Sequence, residues 1–461
     1  MIRLFNAYFP TRIVVLGISE ALLVTLSFML ASFLWLGALE ANFALVYQNE
    51  ALKVGVVTLV LTFCMYYFDL YDSIILSNRR EVAIRIVQVL GTACIVLSLL
   101  YRLYPALGLS GGVFALGLVL VTVLLIAVRR IFLLLNRTAR MSQRAVFVGD
   151  GLLAFALGDE IGRRPELGIN ILGYIAAEAK SGKQLKRVAA LDEMSEAVKH
   201  LNVQRIIVTM SDRRGSLPVD TLLRLKTQGV MIQDGADVFE SVTGRVALES
   251  LRVSWLLFSP GFQASRFMRF YKRFFDMLCS GAGLLLATPL SLLIWIAIRL
   301  DSAGPAIFKQ TRIGKDGRPF TLFKFRSMLA DAGHTQNHRP AEKDDARFTR
   351  VGRWLRRSRL DELPQLLNIL IGDMSFVGPR PFVPDQEEEC ATHIPFYGQR
   401  WAVKPGATGW AQVHRGYCAT LEDNAEKLSY DLFYIKNMSV GLDFLIMFLT
   451  VKILLLGRGG Q

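Results

Sequence analysis

Two adjacent carboxylates, Asp361 and Glu362, interrupt a strongly basic stretch in Arg359-Leu360-Asp361-Glu362-Leu363-Pro364-Gln365. Upstream run Arg347, Arg350, Arg353, Arg356, Arg357 and Arg359, and downstream lies Gly378-Pro379-Arg380-Pro381. Carboxylates alone repel a phosphate-bearing substrate; among guanidinium groups they can meet one, and a carboxylate can then attack phosphorus or serve as a metal ligand or base. The competing reading is local. Pro364 lacks an N–H and clashes with the carbonyl of Leu360, so a helix must kink or restart there. At a restart, Asp361 reads as an N-cap and Glu362 as a first-turn acid favourable to the helix dipole.

Three further groups suit parts of a phosphate-bearing substrate, each with a plainer alternative. Arg380, between two prolines and after Gly378, is fixed enough to offer a bidentate fork to a phosphate; otherwise it is a solvated arginine on a turn. Lys324 and Arg326, in Phe323-Lys324-Phe325-Arg326-Ser327-Met328, alternate with aromatics as in a strand and would point together into an anion site. The alternative is a half-buried strand with a wet side. Lys404-Pro405-Gly406-Ala407-Thr408-Gly409-Trp410-Ala411-Gln412-Val413 is a glycine-rich turn whose Gln412 suits contact with a base or sugar, or is an ordinary surface turn.

The elements that must position these groups begin in a membrane. The 461 residues are 52% hydrophobic and only 20% charged, high for a soluble globular protein. The net charge of +14 fits nucleic acid, anionic headgroups or phosphate-bearing substrates, and the apolar content favours the last two. Five scattered cysteines form no metal-binding spacing and read as small buried hydrophobes. Apolar runs at about residues 13 to 39, 51 to 71, 82 to 103 and 112 to 135 each approach the ~20 residues of a span. Arg3, Arg12, Arg79, Arg80, Arg129, Arg130, Arg137, Arg140 and Arg144 flank one side, so both ends of this four-helix bundle (residues 1–140) are expected in the cytoplasm. Glu20 is the chief ionisable residue inside the runs, which does not suggest a transport pathway.

Residues 141–262 alternate short β-rich runs with helical ones, predicting a Rossmann-like α/β domain with a parallel sheet and a regulatory or assembly role. Gly149, Gly151 and Ala154 match a dinucleotide-binding pattern after a strand, but tight strand-to-helix turns use glycine anyway, and structural use is favoured. An aromatic stretch with Trp255, Phe258, Phe262 and Phe267 leads into residues 263–461, an α-rich domain with nearly all the candidate chemistry. Its first apolar run has Lys272, Arg273 and Asp276 at one end, Thr288-Pro289 near the middle and Arg299 at the other end. Cations on both sides and a central break predict a re-entrant helical hairpin over 272–300 that enters and leaves on the cytoplasmic face. Leu442 to Leu456 is too short for a comfortable span and reads as an interfacial or core helix.

The ordered set Lys272-Arg273 to Asp276, Thr288-Pro289, Gln310 to Gly314, Lys324 to Met328, Leu360 to Gln365, Gly378 to Pro381 and Pro405 to Val413 resembles the bacterial sugar transferase family, the monotopic polyprenyl-phosphate phosphoglycosyl transferases. With the spans and the α/β domain, the chain is similar to that family's long form, which primes exopolysaccharide or O-antigen synthesis. Met1 to Pro10 further resembles the subgroup found with PEP-CTERM exopolysaccharide clusters. The resemblance implies that Asp361 attacks the sugar-linked phosphorus of a UDP-sugar, expelling UMP, and that a polyprenyl phosphate takes the phosphosugar. It implies Mg²⁺ held by Glu362 and Asp361, and phosphate or nucleotide contacts from Lys324, Arg326, Arg359, Arg380 and Gln412. Tyr430, Asp431 and Tyr434 match a family pattern without an assigned step. Thr288 stands where many members have serine. The expected partners are a UDP-sugar, a polyprenyl phosphate lipid, the bacterial inner membrane and a possible second copy of the chain, with no nucleic acid. The alternatives are a glycosyltransferase that releases UDP and a non-enzymatic assembly scaffold.

Overall fold

A computed structural model describes residues 1–72, 75–76, 79–137, 142–177, 185–210, 217–248, 251, 262, 265–329, 347–415 and 420–455. Arg140, Trp255, Phe258 and Leu456, named above, lie outside these residues. The chain forms two compact units, one of residues 9–235 with residues 1–2, the other of residues 236–461 with residues 3–8.

In the first unit, α1 (Thr11–Leu36), α2 (Ala38–Tyr47), α3 (Glu50–Tyr67), α4 (Arg79–Leu103) and α5 (Gly111–Arg137) follow a short hairpin, β1 (Ile2–Leu4) and β2 (Ala7–Phe9). Of these, α1, α3, α4 and α5 are long and apolar enough to cross a membrane. Val24, Phe28, Val57, Leu61, Val89, Ala93, Val121 and Leu125 form their shared core. Arg129, counted above among the flanking cations, is instead buried. Its Nε lies 2.8 Å from Glu20 Oε1, Nη2 donates to Glu20 Oε2 at 2.8 Å and Nη1 to Leu70 O at 2.9 Å. Charge counting along the chain cannot see a partner 109 residues away. Two opposite charges in an apolar bundle satisfy each other where neither could stand alone.

The parallel sheet consists of β3 (Gln143–Val148), β4 (Ile169–Ile175), β5 (Arg187–Ala189), β6 (Arg205–Val208) and β7 (Met231–Asp234) in the order β5-β4-β3-β6-β7. The helices α6 (Leu152–Gly162), α7 (Met194–His200) and α8 (Val219–Thr227) connect the strands. This is the doubly wound arrangement expected from the alternating runs. Gly149 follows β3 with φ +112, and a Cβ there would lie 2.7 Å from the Met210 nitrogen. A close backbone approach thus accounts for that glycine.

The second unit contains α9 (Gly235–Thr243) at its boundary, then α10 (Arg266–Asp301), the hairpin β8 (Ile307–Ile313) and β9 (Pro319–Phe325), and α11 (Arg350–Ser358). There follow α12 (Gln365–Ile371), β10 (Ser375–Val377), α13 (Pro384–His393), β11 (Gly406–Thr408), α14 (Trp410–His414), α15 (Leu421–Asn437) and α16 (Val440–Leu455). The run expected as a hairpin over 272–300 is helical throughout 266–301, with Pro289 inside, so the turn that two separate legs need is missing. Thr288 Oγ1 donates to Leu284 O at 2.7 Å, a bond that bends helices. The α10 helix is also the fifth element long and apolar enough for a membrane. α16 buries Leu442 and Ile446 and leaves Phe444, Val451 and Leu455 exposed, so apolar residues stand on both its covered and its uncovered faces.

The hairpin tip, Phe5 and Asn6, takes positive φ values of 54 and 61 and clasps the turn between α15 and α16. Arg3 Nη2 donates to Asn437 Oδ1 at 2.7 Å, Asn6 Nδ2 to Asn437 O at 3.0 Å and Ser439 Oγ to Phe5 O at 3.3 Å. A Cβ on Gly441 would stand 2.3 Å from the Phe5 ring.

Arg129→Ala removes the cation that Glu20 faces in the bundle. It is expected to destabilise the first unit by about 3–5 kcal/mol, read as a lower thermal midpoint of the detergent-solubilised protein. Glu20→Gln/Arg129→Met should recover most of that loss.

Candidate active site

The two acids lie on a single 3₁₀ turn, Leu360–Glu362, between α11 and α12. Thr349 caps α11, its Oγ1 accepting from Gly352 N at 2.9 Å. The helix ends at Arg359 in the left-handed region, φ +56, a conformation that costs a non-glycine residue on the order of 1 kcal/mol or more. Pro364 stands at the start of α12, so the break it imposes falls where expected. The capping role is excluded for Asp361, because the helix restarts only at Gln365 and has no side-chain cap.

Helix α10 holds both flanking helices. Asp301, its last residue, accepts from Val351 N at 3.0 Å at the start of α11. From its other half, Arg273 donates to the carbonyls of Ile369 at 3.0 Å, Leu370 at 2.8 Å and Ile371 at 3.4 Å, satisfying the carboxyl end of α12 and its dipole. Asp276, 3% exposed, accepts from Ser375 Oγ at 3.1 Å and Phe376 N at 3.0 Å, fixing the start of β10. Ile294 and Ile298 pack with Phe325 and Leu355 in one apolar cluster. Lys272 donates to Asp443 Oδ2 at 2.8 Å and Tyr434 Oη at 2.9 Å, and Tyr434 donates to Asp443 Oδ1 at 2.7 Å. Lys272, Arg273 and Asp276 are thus tie points of this helix, and Tyr434 belongs to one of them. Tyr430 stacks on His414, ring centroids 5.3 Å apart.

Lys324, on β9, donates to Glu362 Oε1 at 3.2 Å, and Arg380 Nη2 donates to the same oxygen at 3.4 Å. Asp361 is 8% exposed. Burial pushes its carboxyl up, assisted by the negative charge of Glu362 and opposed by Lys324 and Arg356. Burial also acts upward on Glu362, but Lys324, Arg380 and Arg359 outweigh it and bring that group down to about 2. Burial pushes the Lys324 ammonium down, and Glu362 only partly restores it. The neighbours therefore separate into a firmly ionised glutamate and a more basic aspartate, and a more basic carboxylate is the better nucleophile.

The expected set divides. Lys324, Glu362 and Arg380 converge through direct contacts, while Asp361 and Arg359 adjoin them on the same turn. Arg326 departs, because β9 ends at Phe325 and the two-residue alternation stops there. Its guanidinium donates to Ala303 O at 2.7 Å, Ser302 O at 2.7 Å and Ser302 Oγ at 2.8 Å, closing the end of α10. Gln412, on α14, donates to Ala407 O on the adjoining β11 at 3.3 Å, and among the described residues its hydrogen bond does not reach the acids. Sequence reasoning missed Arg400, Glu387 and Asn368. Asn368 ties α12 to β9, its Oδ1 accepting from Phe323 N at 3.0 Å and its Nδ2 donating to Thr321 O at 2.7 Å. The available signal for Arg400 was an arginine between two aromatics, Tyr397 and Trp401.

Among the described residues no group of three or more His, Cys, Asp or Glu gathers for a metal. The donors at the site are two carboxylates, which suits a hard cation that takes one or two carboxylates and completes its shell with substrate phosphates and water.

A membrane-associated protein with an α/β domain and a cation-ringed carboxylate pair is the class that fold and site define. Residues 267–457 match the family model described as bacterial sugar transferase, and residues 66–232 match one described as a CoA-binding domain. The chain is 41% identical over 224 residues to a UDP-N-acetylgalactosamine-undecaprenyl-phosphate N-acetylgalactosaminephosphotransferase of Aeromonas hydrophila, covering 49% of this chain and 52% of that protein. Against a UDP-glucose:undecaprenyl-phosphate glucose-1-phosphate transferase of Xanthomonas campestris pv. campestris the identity is 33% over 323 residues, 67% of this chain and 66% of the other. An exopolysaccharide production protein, PSS, of Rhizobium leguminosarum bv. phaseoli is 41% identical over 186 residues, 39% of this chain and 92% of that protein. The chain belongs to the bacterial sugar transferase family. It spans about half the length of the Aeromonas relative and about two thirds of the Xanthomonas one.

Glu362 is ordinarily half ionised at 4.5 and in the folded protein only at about 2. Its contribution to stability is present above the higher value and is lost as pH falls through the lower. Thermal midpoints measured from pH 5 to pH 2 should fall less steeply for Glu362→Gln than for the parent chain.

Proposed function

We propose that the chain transfers a sugar 1-phosphate from a UDP-sugar to a polyprenyl phosphate, such as undecaprenyl phosphate, releasing UMP and forming a polyprenyl diphosphosugar. The observation that carries this reading is the buried, more basic Asp361 beside Glu362, whose Oε1 is held by Lys324 and Arg380. The names of two relatives state, for those proteins, a phosphosugar transfer between a UDP-sugar and undecaprenyl phosphate. In the first step an Asp361 oxygen bonds to the sugar-linked phosphorus while the bond from that phosphorus to the UMP oxygen breaks. In the second, an oxygen of the lipid phosphate bonds to the same phosphorus and the Asp361 carboxylate leaves. Splitting the transfer lowers each barrier, and Lys324, Arg359 and Arg380 hold and neutralise the phosphates. Asp361 and Glu362 would also hold a divalent cation, Mg²⁺ in this reading, whose chemistry is to offset phosphate charge.

The product initiates exopolysaccharide or O-antigen synthesis, with the site on the cytoplasmic face of the bacterial inner membrane. Both halves of α10 are held by one compact unit, Arg273 at the end of α12 and Asp301 at the start of α11. Between them Leu285, Leu286 and Leu293 are 77%, 79% and 65% exposed. This supports a bent helix that dips into the bilayer and returns, rather than one that crosses it.

Membranes containing the protein, given a panel of UDP-sugars, are expected to release UMP and to trap labelled sugar phosphate on the chain. Asp361→Asn should lose the label and at least ~10³-fold of the rate. UDP as product, or label retained on that variant, would overturn the mechanism and favour a glycosyltransferase. Chelation with EDTA should abolish release and added Mg²⁺ restore it. For topology, a reporter fused after Gln461 should be cytoplasmic, and an external one would mean that α10 crosses.

A further inference from the structure

Arg380 is 40% exposed and stands on a turn, a poor place from which to hold a guanidinium at a fixed point. Three consecutive backbone groups of that turn are nevertheless pinned from within the domain. Arg400 Nη2 donates to Arg380 O at 2.8 Å, Arg312 Nη1 donates to Pro381 O at 3.1 Å, and Phe382 N donates to Glu387 Oε1 at 3.3 Å. On the preceding side, Gly378 N donates to Thr408 O at 2.9 Å, and a Cβ there would lie 2.4 Å from Lys404 O.

Arg400 is the centre of this arrangement. It is 5% exposed, sits 3.1 Å from Asp431 Oδ2 on α15 and 3.3 Å from Glu387 Oε1 on α13, and also donates to the Tyr397 hydroxyl. The rings of Phe382 and Tyr397 lie 4.7 and 5.1 Å from its guanidinium carbon. Stability is a weak reason to bury one cation with two anions, since apolar packing of the same volume often does as well. A rigid planar fork does fix direction. Glu387, Asp431 and Tyr397 orient that fork, and among the described residues the backbone carbonyl it then holds belongs to Arg380.

We infer that Arg400, oriented by Asp431, is a positioning group for Arg380: the pair fixes the Arg380–Pro381 peptide and thereby aims the Arg380 guanidinium at Glu362 and at the phosphates bound there. This rests on the phosphosugar-transfer reading and gives Asp431 a role that acts through another residue. Asp431→Asn is the informative variant. It leaves Arg400 paired with Glu387, whereas removing Arg400 would take from two buried carboxylates the cation they share.

The test is a double-mutant cycle on the full-length, detergent-solubilised chain with Asp431→Asn, Arg380→Ala and both together. Two quantities are read: kcat/KM for nucleotide release from the UDP-sugar used best, and amide exchange of residues 376–383. Asp431→Asn should cost about 10- to 100-fold in kcat/KM and speed that exchange, yet cost under about 3-fold in the Arg380→Ala background. Equal losses in both backgrounds, or unchanged exchange, would overturn the positioning role. If the nucleotide released is UDP, the transfer mechanism fails, and the same cycle read on UDP still decides the role of Asp431. If neither nucleotide is released, exchange decides it alone.

Discussion

A 3₁₀ turn of three residues has little structure of its own, and the turn that bears Asp361 and Glu362 depends on how its two neighbouring helices are ended. One helix does this at both places. Asp301 supplies an acceptor for the open start of α11, and Arg273 supplies donors for the open carbonyls of α12. Unsatisfied helix ends are costly when shielded from water, so α10 acts as a brace whose length sets the spacing of the helices around the acids. An element of the second unit long and apolar enough to cross a membrane is in this way also the element on which its cation-ringed acids rest.

Within that brace, neighbouring carboxylates acquire different properties. Both feel burial, but Lys324 and Arg380 meet on one oxygen of Glu362 and not on Asp361. Adjacent acids that repel each other are thereby separated into a fixed anion and a more basic one. The left-handed backbone at Arg359 turns the chain sharply enough to place both acids on the tight turn instead of on the face of a continuous helix.

What could be read from the sequence was what depends on neighbours along the chain. Pro364 announces its break, apolar length announces the membrane helices, and alternating short runs announce the parallel sheet. What could not be read depends on distant partners or on backbone choices that side chains do not dictate. Nothing about arginine demands a positive φ at position 359. Arg129 looked like a flanking charge because Glu20 is far away in sequence, and Arg326 looked like a neighbour of Lys324 because the end of β9 is decided by tertiary packing. Asp431 carried a pattern without a role, since its partner Arg400 lies in a stretch with no motif.

The clasp of residues 3–8 on the turn after α15 carries a consequence for the order of assembly. Arg3 and Asn437 are 434 positions apart. At ribosomal speeds of about 5–20 residues per second, the first strand therefore waits on the order of 20–90 s for its partner to be made. Throughout that interval the first membrane helix follows directly behind it. The hairpin is thus made long before its partner and is among the last segments to find its place, a seam that closes only once the second unit exists.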